Sequence, residues 1–119
     1  MTDSINQLNA LARQFVEQRN WQQFQSPKNL SMGMIVEAGE LVEHFQWLSE
    51  QQSREVDDDK KAQVADELAD VLVFLLRIAD ELNIDLGKSA VDKMLRNEIK
   101  YPVSRHADGP VSVKDSTRT

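Results

Sequence analysis

The chain has 119 residues, 40% of them hydrophobic, with 20 acidic against 14 basic side chains and a net charge of −6. That size gives one domain with a core, and the acidic balance argues against nucleic acid or an anionic membrane surface as a partner. There is no cysteine, which excludes disulfides and thiolate metal sites. The start, Met1-Thr2-Asp3-Ser4-Ile5, lacks the features of a signal peptide, and no apolar run is long enough to span a membrane, so a soluble cytoplasmic protein is expected.

Ser4 followed by Gln7 has the form of a capping box, which predicts a first helix from about residue 4 to Arg19. Ile5, Leu8, Leu11, Ala12, Phe15 and Val16 supply its apolar stripe. Residues 20–29 then read as a connector holding Trp21, Phe24 and Pro27. Its aromatics serve either as a plug over the bundle end or as a surface for a flat base.

A second helix is predicted from about Asn29 to Leu48, with Met34, Ile35, Ala38, Leu41, Val42, Phe45 and Leu48 as its core face. Glu37, Glu40, His44 and Trp47 form a stripe beside that face. A lone histidine there is more often a packing residue than a ligand, so His44 is given no catalytic role. The polar stretch 50–60 is expected to turn the chain.

A third helix is predicted to start within Asp57-Asp58-Asp59 and to end near Leu82-Asn83. Its broad apolar face comprises Val64, Leu68, Val71, Leu72, Leu75, Ile78, Ala79 and Leu82, with Ala69, Val73 and Leu76 apolar on the other side. Such a helix is buried on both sides, which predicts a subunit interface that includes Val73 and Leu76. Glu67, Asp70 and Phe74 occupy the remaining stripe. Asn83-Ile84-Asp85 leads into a fourth helix, from Leu86 to about Tyr101, which places Lys93, Asn97, Lys100 and Tyr101 on one face. Pro102 stops it, and residues 103–119 read as an extended or disordered tail behind a single domain of residues 1–102.

The two acidic pairs, Glu37-x-x-Glu40 and Glu67-x-x-Asp70, carry the functional reading. Spacing of i, i+3 puts both carboxylates of a pair on one helix face. If the second and third helices fold back about residues 53–54, Glu37 lies level with Asp70 and Glu40 with Glu67. Four converging carboxylates repel one another and raise each other's pKa. A divalent cation resolves the conflict, and an oxygen-only set suits Mg²⁺ or Mn²⁺. No serine or cysteine triad offers a nucleophile, so water activated at such a site is the economical choice, with Glu40 favoured over Glu37 as general base. Level with the acids, Lys93 and Lys100 become candidate phosphate contacts. Two rival readings are a helical oligomerisation module with a solvated acidic face, and a di-iron bundle. The second needs Glu-x-x-His motifs, whereas His44 follows Glu40 by four.

The ordered set Trp21-x-x-Phe24, Pro27-x-Asn29-Leu30, Glu37-x-Gly39-Glu40-Leu41, Phe45-Gln46-Trp47, Glu67-Leu68-x-Asp70-Val71, Lys93-x-x-x-Asn97 and Lys100-Tyr101-Pro102 resembles the MazG-like all-α nucleoside triphosphate pyrophosphohydrolases. Within them it looks most like the short single-domain branch that includes the dCTP pyrophosphatases, with the dimeric dUTPases as the alternative. The resemblance covers roughly residues 5–102. It implies a four-helix-bundle subunit in a homodimer or a dimer of dimers (a homotetramer). It also implies Mg²⁺-dependent hydrolysis of a nucleoside triphosphate, dCTP-like, to monophosphate and pyrophosphate. Carried over by position, Glu37, Glu40, Glu67 and Asp70 hold Mg²⁺, Lys93 and Asn97 contact phosphate or sugar, and Trp21 and Trp47 flank the base, with Phe24 and Phe74 nearby. Two departures bear on base choice: some dCTP-directed relatives carry a histidine at the place of Ala12 and a tyrosine at that of Phe74.

Overall fold

The computed structural model describes residues 2–103, with side chains from residue 4. It contains five α-helices and no strand among the described residues. They are α1 (Thr2–Gln18), α2 (Pro27–Glu43), α3 (Glu50–Arg54), α4 (Asp58–Glu81) and α5 (Leu86–Lys100), with a 3₁₀ turn at Gln22–Phe24. The chain divides into two compact units, one ending at Leu86 and the other beginning at Gly87 with α5. The tail expected at 103–119 lies, apart from Val103, outside the described residues.

The ends of the helices follow from local chemistry. α1 already begins at Thr2, so Ser4 and Gln7 sit inside it and do not cap it. At its other end Asn20 adopts φ 55°, and the backbone closes with Trp21 N–H on Val16 O at 3.1 Å and Asn20 N–H on Glu17 O at 3.2 Å. This is a Schellman closure, for which asparagine is a tolerated left-handed residue. It brings Trp21 back against α1, where its ring meets Phe15 edge-on at 5.7 Å. The same closure ends α4, with Asn83 at φ 56° and Ile84 N–H on Ala79 O at 2.8 Å.

α2 starts two residues earlier than the sequence suggests. Ser26 caps it by accepting from Asn29 N–H at 3.1 Å, and Pro27 takes the first helical position, where its missing N–H costs nothing. The helix also stops at Glu43 and not at Leu48, so His44 to Trp47 form turns and Trp47 leaves the predicted stripe. The polar stretch 50–60 is not simply a turn. Ser49 and Gln52 form a reciprocal capping box that nucleates α3, and Asp57 then caps α4 through Lys60 N–H at 2.8 Å. The Ser-x-x-Gln signature therefore operates at residues 49–52 and not at residues 4–7.

α4 packs against both α1 and α2. Its most enclosed side chain is Leu76, at 2% exposure, with Ala79, Leu30, Ala12 and Val16 also buried. This corrects the expectation that Leu76 faces a subunit interface: α1 and α2 cover it within the chain. Leu68 and Leu75, predicted core, are instead 53% and 39% exposed. On α2, Ile35 and Val42 are likewise exposed.

Arg77 is buried and charged, and it belongs to a polar clasp between α1 and α4. Its guanidinium donates to Asp80 Oδ2 at 2.6 Å and to Glu81 Oε2 at 2.8 Å. Asp80 also receives Arg13 and Asn9 from α1. The Arg13 guanidinium, helped by Arg77 and Asn9, holds the Asp80 carboxyl well below the usual carboxylate range despite its burial. A depressed folded-state pKa means stability that is present above the unfolded value of 3.8 and lost as pH falls. Asp80→Asn is expected to cost about 2 kcal/mol at neutral pH, the range for hydrogen bonds to a charged group. In urea titrations across a pH series, the gap between variant and parent should shrink progressively below about pH 4.

Candidate metal and ligand site

The hairpin of α2 and α4 gathers the acids. One carboxylate oxygen each from Glu37, Glu67 and Asp70 lie within 4.8 Å of one another. Glu40, one turn beyond Glu37 on α2, helps raise the pKa of both Glu37 and Glu67. Partial loss of water, then Glu40 beside it, pushes Glu37 up to about 7, with Glu67 and Asp70 adding to the effect. Glu67 is raised by the same loss of water and by the Glu40 charge. These carboxyls share protons because adjacent like charges cannot all ionise cheaply.

His44 stands at the edge of this cluster, a place the sequence reading gave no role. Its Nε2 is 3.9 Å from Glu67 Oε1, and Lys60 Nζ lies 3.2 Å from its Nδ1. An ammonium only donates, so Nδ1 is the accepting atom of that contact and Nε2 is the ring nitrogen that faces Glu67. The available signal was its spacing, four residues after Glu40 on the acidic face. The other Glu67 oxygen, Oε2, is buried without a hydrogen-bond partner. An orphaned carboxylate oxygen among clustered acids fits a divalent cation bound by oxygen ligands, so the residues present suit the metal expected.

Beside Asp70 a cavity of about 450 Å³ opens between α1, the connector and α4. Its walls include Ala12, Phe15, Trp21, Val73 and Phe74, and its polar side chains include Gln25, Asp70 and Arg77. Phe74 packs flat against α2 at Gly33. A Cβ on Gly33 would stand 2.6 Å from the ring, so only glycine lets the phenyl lie there. Trp21 and Phe74 thus share one cavity with a member of the acid cluster. Phe24 and Trp47 are not among its lining residues and are 57% and 88% exposed. Lys93, Asn97, Lys100 and Tyr101 lie on or just after α5 in the other unit. There Lys93 is exposed, Asn97 is half-buried, and the Lys100 ammonium sits 5.3 Å from the Tyr101 ring centre. Arg77 is a lining residue that sequence reasoning passed over. Arg77 is two turns after Asp70 on the same face of α4, and that spacing was the legible signal.

An all-α chain whose helical hairpin collects acidic side chains beside an aromatic cavity defines a class of candidate divalent-cation and small-ligand sites. The chain belongs to the MazG-like family, whose profile matches residues 34–114. It is 33% identical over 102 residues to dCTP pyrophosphatase 1 of Rattus norvegicus, covering 84% of this chain and 60% of that protein. With dCTP pyrophosphatase 1 of Homo sapiens it shares 32% identity over 101 residues, covering 83% and 59%. The chain thus spans about 60% of the length of these curated relatives. A crystal structure of a pyrophosphatase from Archaeoglobus fulgidus is similar at TM-score 0.78 and 37% identity, covering 83% of this chain and 93% of that one. No helix among the described residues is long and apolar enough to cross a membrane.

The raised Glu37 pKa has a definite sign. Its folded-state value, about 7, lies above the ordinary 4.5, so the folded protein binds the extra proton and loses stability as pH rises through that window. In chelator, the melting temperature is expected to fall between about pH 5 and pH 8, and Glu37→Gln should flatten the decline. Saturating Mg²⁺ should also remove it, by binding the ionised cluster. Parallel melts in EDTA and in Mg²⁺ check both expectations.

Proposed function

We propose that the protein hydrolyses (deoxy)nucleoside triphosphates, with dCTP preferred, to the monophosphate and pyrophosphate in a Mg²⁺-dependent reaction. The observation that supports this most is the cluster of Glu37, Glu67 and Asp70, whose member Asp70 lines an aromatic cavity large enough for a base and sugar. The named activity of the relatives points the same way. Glu37, Glu40, Glu67 and Asp70 would hold the cation. When bound, it neutralises the triphosphate and acidifies the attacking water.

The chain's own residues supply the rest. Glu40, one turn from Glu37 on α2, is assigned as the base that takes the water proton at a carboxylate oxygen. His44 faces one oxygen of Glu67, and the other is left for the cation. Trp21 and Phe74 give the base an apolar enclosure, an interaction worth about 1–3 kcal/mol per stacked base and nearly blind to its identity. Lys93 and Asn97 are assigned to phosphate or sugar, and Lys100 and Tyr101 to the same end of the substrate, from the family pattern. Trp47 and Phe24 join the substrate contacts where a second copy of the chain brings them to the cavity. Exposed Ile35, Val42, Leu68 and Leu75 on α2 and α4 support a homo-oligomer, a dimer or dimer of dimers acting in the cytoplasm. The first 102 residues are assigned to catalysis, with the tail after them.

Glu40→Gln and Asp70→Asn are expected to lower turnover by about 10²-fold or more while the helical circular-dichroism spectrum persists, since each removes charge without core volume. Chromatographic resolution of the products from dCTP, dUTP, dTTP, dATP and CTP decides the reaction. Nucleoside diphosphate plus phosphate would overturn the cleavage site, and strict dUTP dependence would move the activity to the dUTPase type.

Light scattering at micromolar concentration is expected to give at least twice the 13.6 kDa chain mass. A folded, active monomer would refute the assembly.

A further inference from the structure

The cavity that begins at Asp70 ends at a side chain with no evident part in phosphate chemistry. Arg77 follows Asp70 by seven residues on α4, which separates them by on the order of 10 Å along one helix face. Its side chain is 5% exposed and already satisfied by Asp80 and Glu81, so it is not a loose cation waiting for phosphate. Its Nε donates to Gln25 Oε1, at 3.1 Å. Gln25 is half-buried on the connector, beside Trp21 on the cavity wall.

This contact decides which way the amide points. A guanidinium has donors only, so Gln25 must turn its oxygen to Arg77 whatever the ligand. The amide NH₂ is then the end left over, and it has no partner among the described residues. Ordinarily a glutamine rotates freely and reads both donors and acceptors. Here the carboxylates of Asp80 and Glu81 hold Arg77, and Arg77 in turn fixes Gln25 as a pure donor.

A fixed pair of N–H donors discriminates among bases. Cytosine offers two adjacent acceptors, N3 and O2. Uracil and thymine place an N3–H donor between their carbonyls, which opposes an NH₂ group. With Ala12 and Phe74 apolar, neither of those wall positions offers a competing polar contact. We propose that Gln25 reads the N3/O2 edge of a cytosine base, and that Arg77 is the positioning residue that holds its amide in the cytosine-selecting orientation. This rests on the pyrophosphohydrolase reading above and supplies its base selectivity, which stacking on Trp21 cannot.

The test compares kcat/KM for dCTP and dUTP in the full chain and in Gln25→Met, Gln25→Glu, Arg77→Met and Arg77→Lys variants, each checked for helicity. The parent should favour dCTP. Gln25→Met should lower the dCTP-to-dUTP ratio about tenfold, the worth of one well-made hydrogen bond, with the loss carried by KM. Gln25→Glu keeps its contact to Arg77 but offers only acceptors, and should shift the ratio further toward dUTP. Arg77→Met frees the amide to turn over, so the ratio should fall although Gln25 is intact. Arg77→Lys, still a donor, should recover much of it. A purely structural role would lower both substrates together and leave the ratio alone. Should Arg77→Met fail to fold, the two Gln25 variants decide the matter, because Gln25 is not in the core. An unchanged ratio in both Gln25 variants, or a parent without cytosine preference, overturns the inference while the hydrolytic activity stands. A parent that yields no monophosphate from any nucleotide overturns both.

Discussion

Mutual repulsion among carboxylates is the constraint around which the hairpin of α2 and α4 is built. Glu37, Glu67 and Asp70 approach within 4.8 Å, with Glu40 adding its charge to Glu37 and Glu67, at a place where water is partly excluded. Such a cluster opposes folding at neutral pH, and lost hydration together with the neighbouring acids raises the Glu37 pKa. A protein retains an arrangement of this kind where the charge serves a ligand. The apolar packing around Leu76 opposes the repulsion, and the clasp of Arg13, Asp80 and Arg77 ties α1 to α4. Stability is thus concentrated at one end of α4 and charge at the other.

That division runs along a single helix face. Glu67, Asp70, Phe74, Arg77 and Glu81 follow one another at helical spacing, from the acid cluster through the aromatic wall to the buried arginine. In the reading proposed above, a ligand along this face would meet charge suited to a cation-bound phosphate at one end and, at the other, the Gln25 amide that Arg77 orients. The glycine at position 33 contributes by absence, since it gives the Phe74 ring room to lie against α2.

The left-handed asparagine at position 20 has a comparable influence on the site. The Schellman closure it permits ends α1 and in the same step carries Trp21 against Phe15, whose other contact is the Arg19 guanidinium 3.6 Å from the ring centre. A residue chosen for backbone geometry thereby fixes an aromatic wall of the cavity.

The amino-acid sequence by itself determined the helices that local chemistry specifies. The start of α4 at Asp57, its end near Leu82 and the span of α5 were readable from caps and periodicity, as was the approach of Glu37 to Glu67 and Asp70. Those signals are short-range, and every residue needed to read them lies within a few positions. Tertiary structure decided what depends on neighbours distant in the chain. It decided that Leu76 is covered by α1 and α2 while Leu68 and Leu75 are exposed, because apolar periodicity marks a face without saying what packs on it. It decided that α2 stops at Glu43, which takes Trp47 off the acidic stripe and leaves His44 beside Glu67. It also joined Arg77 to Gln25, 52 positions earlier, a pairing that no local pattern announces because only the packing of α4 under the connector creates it.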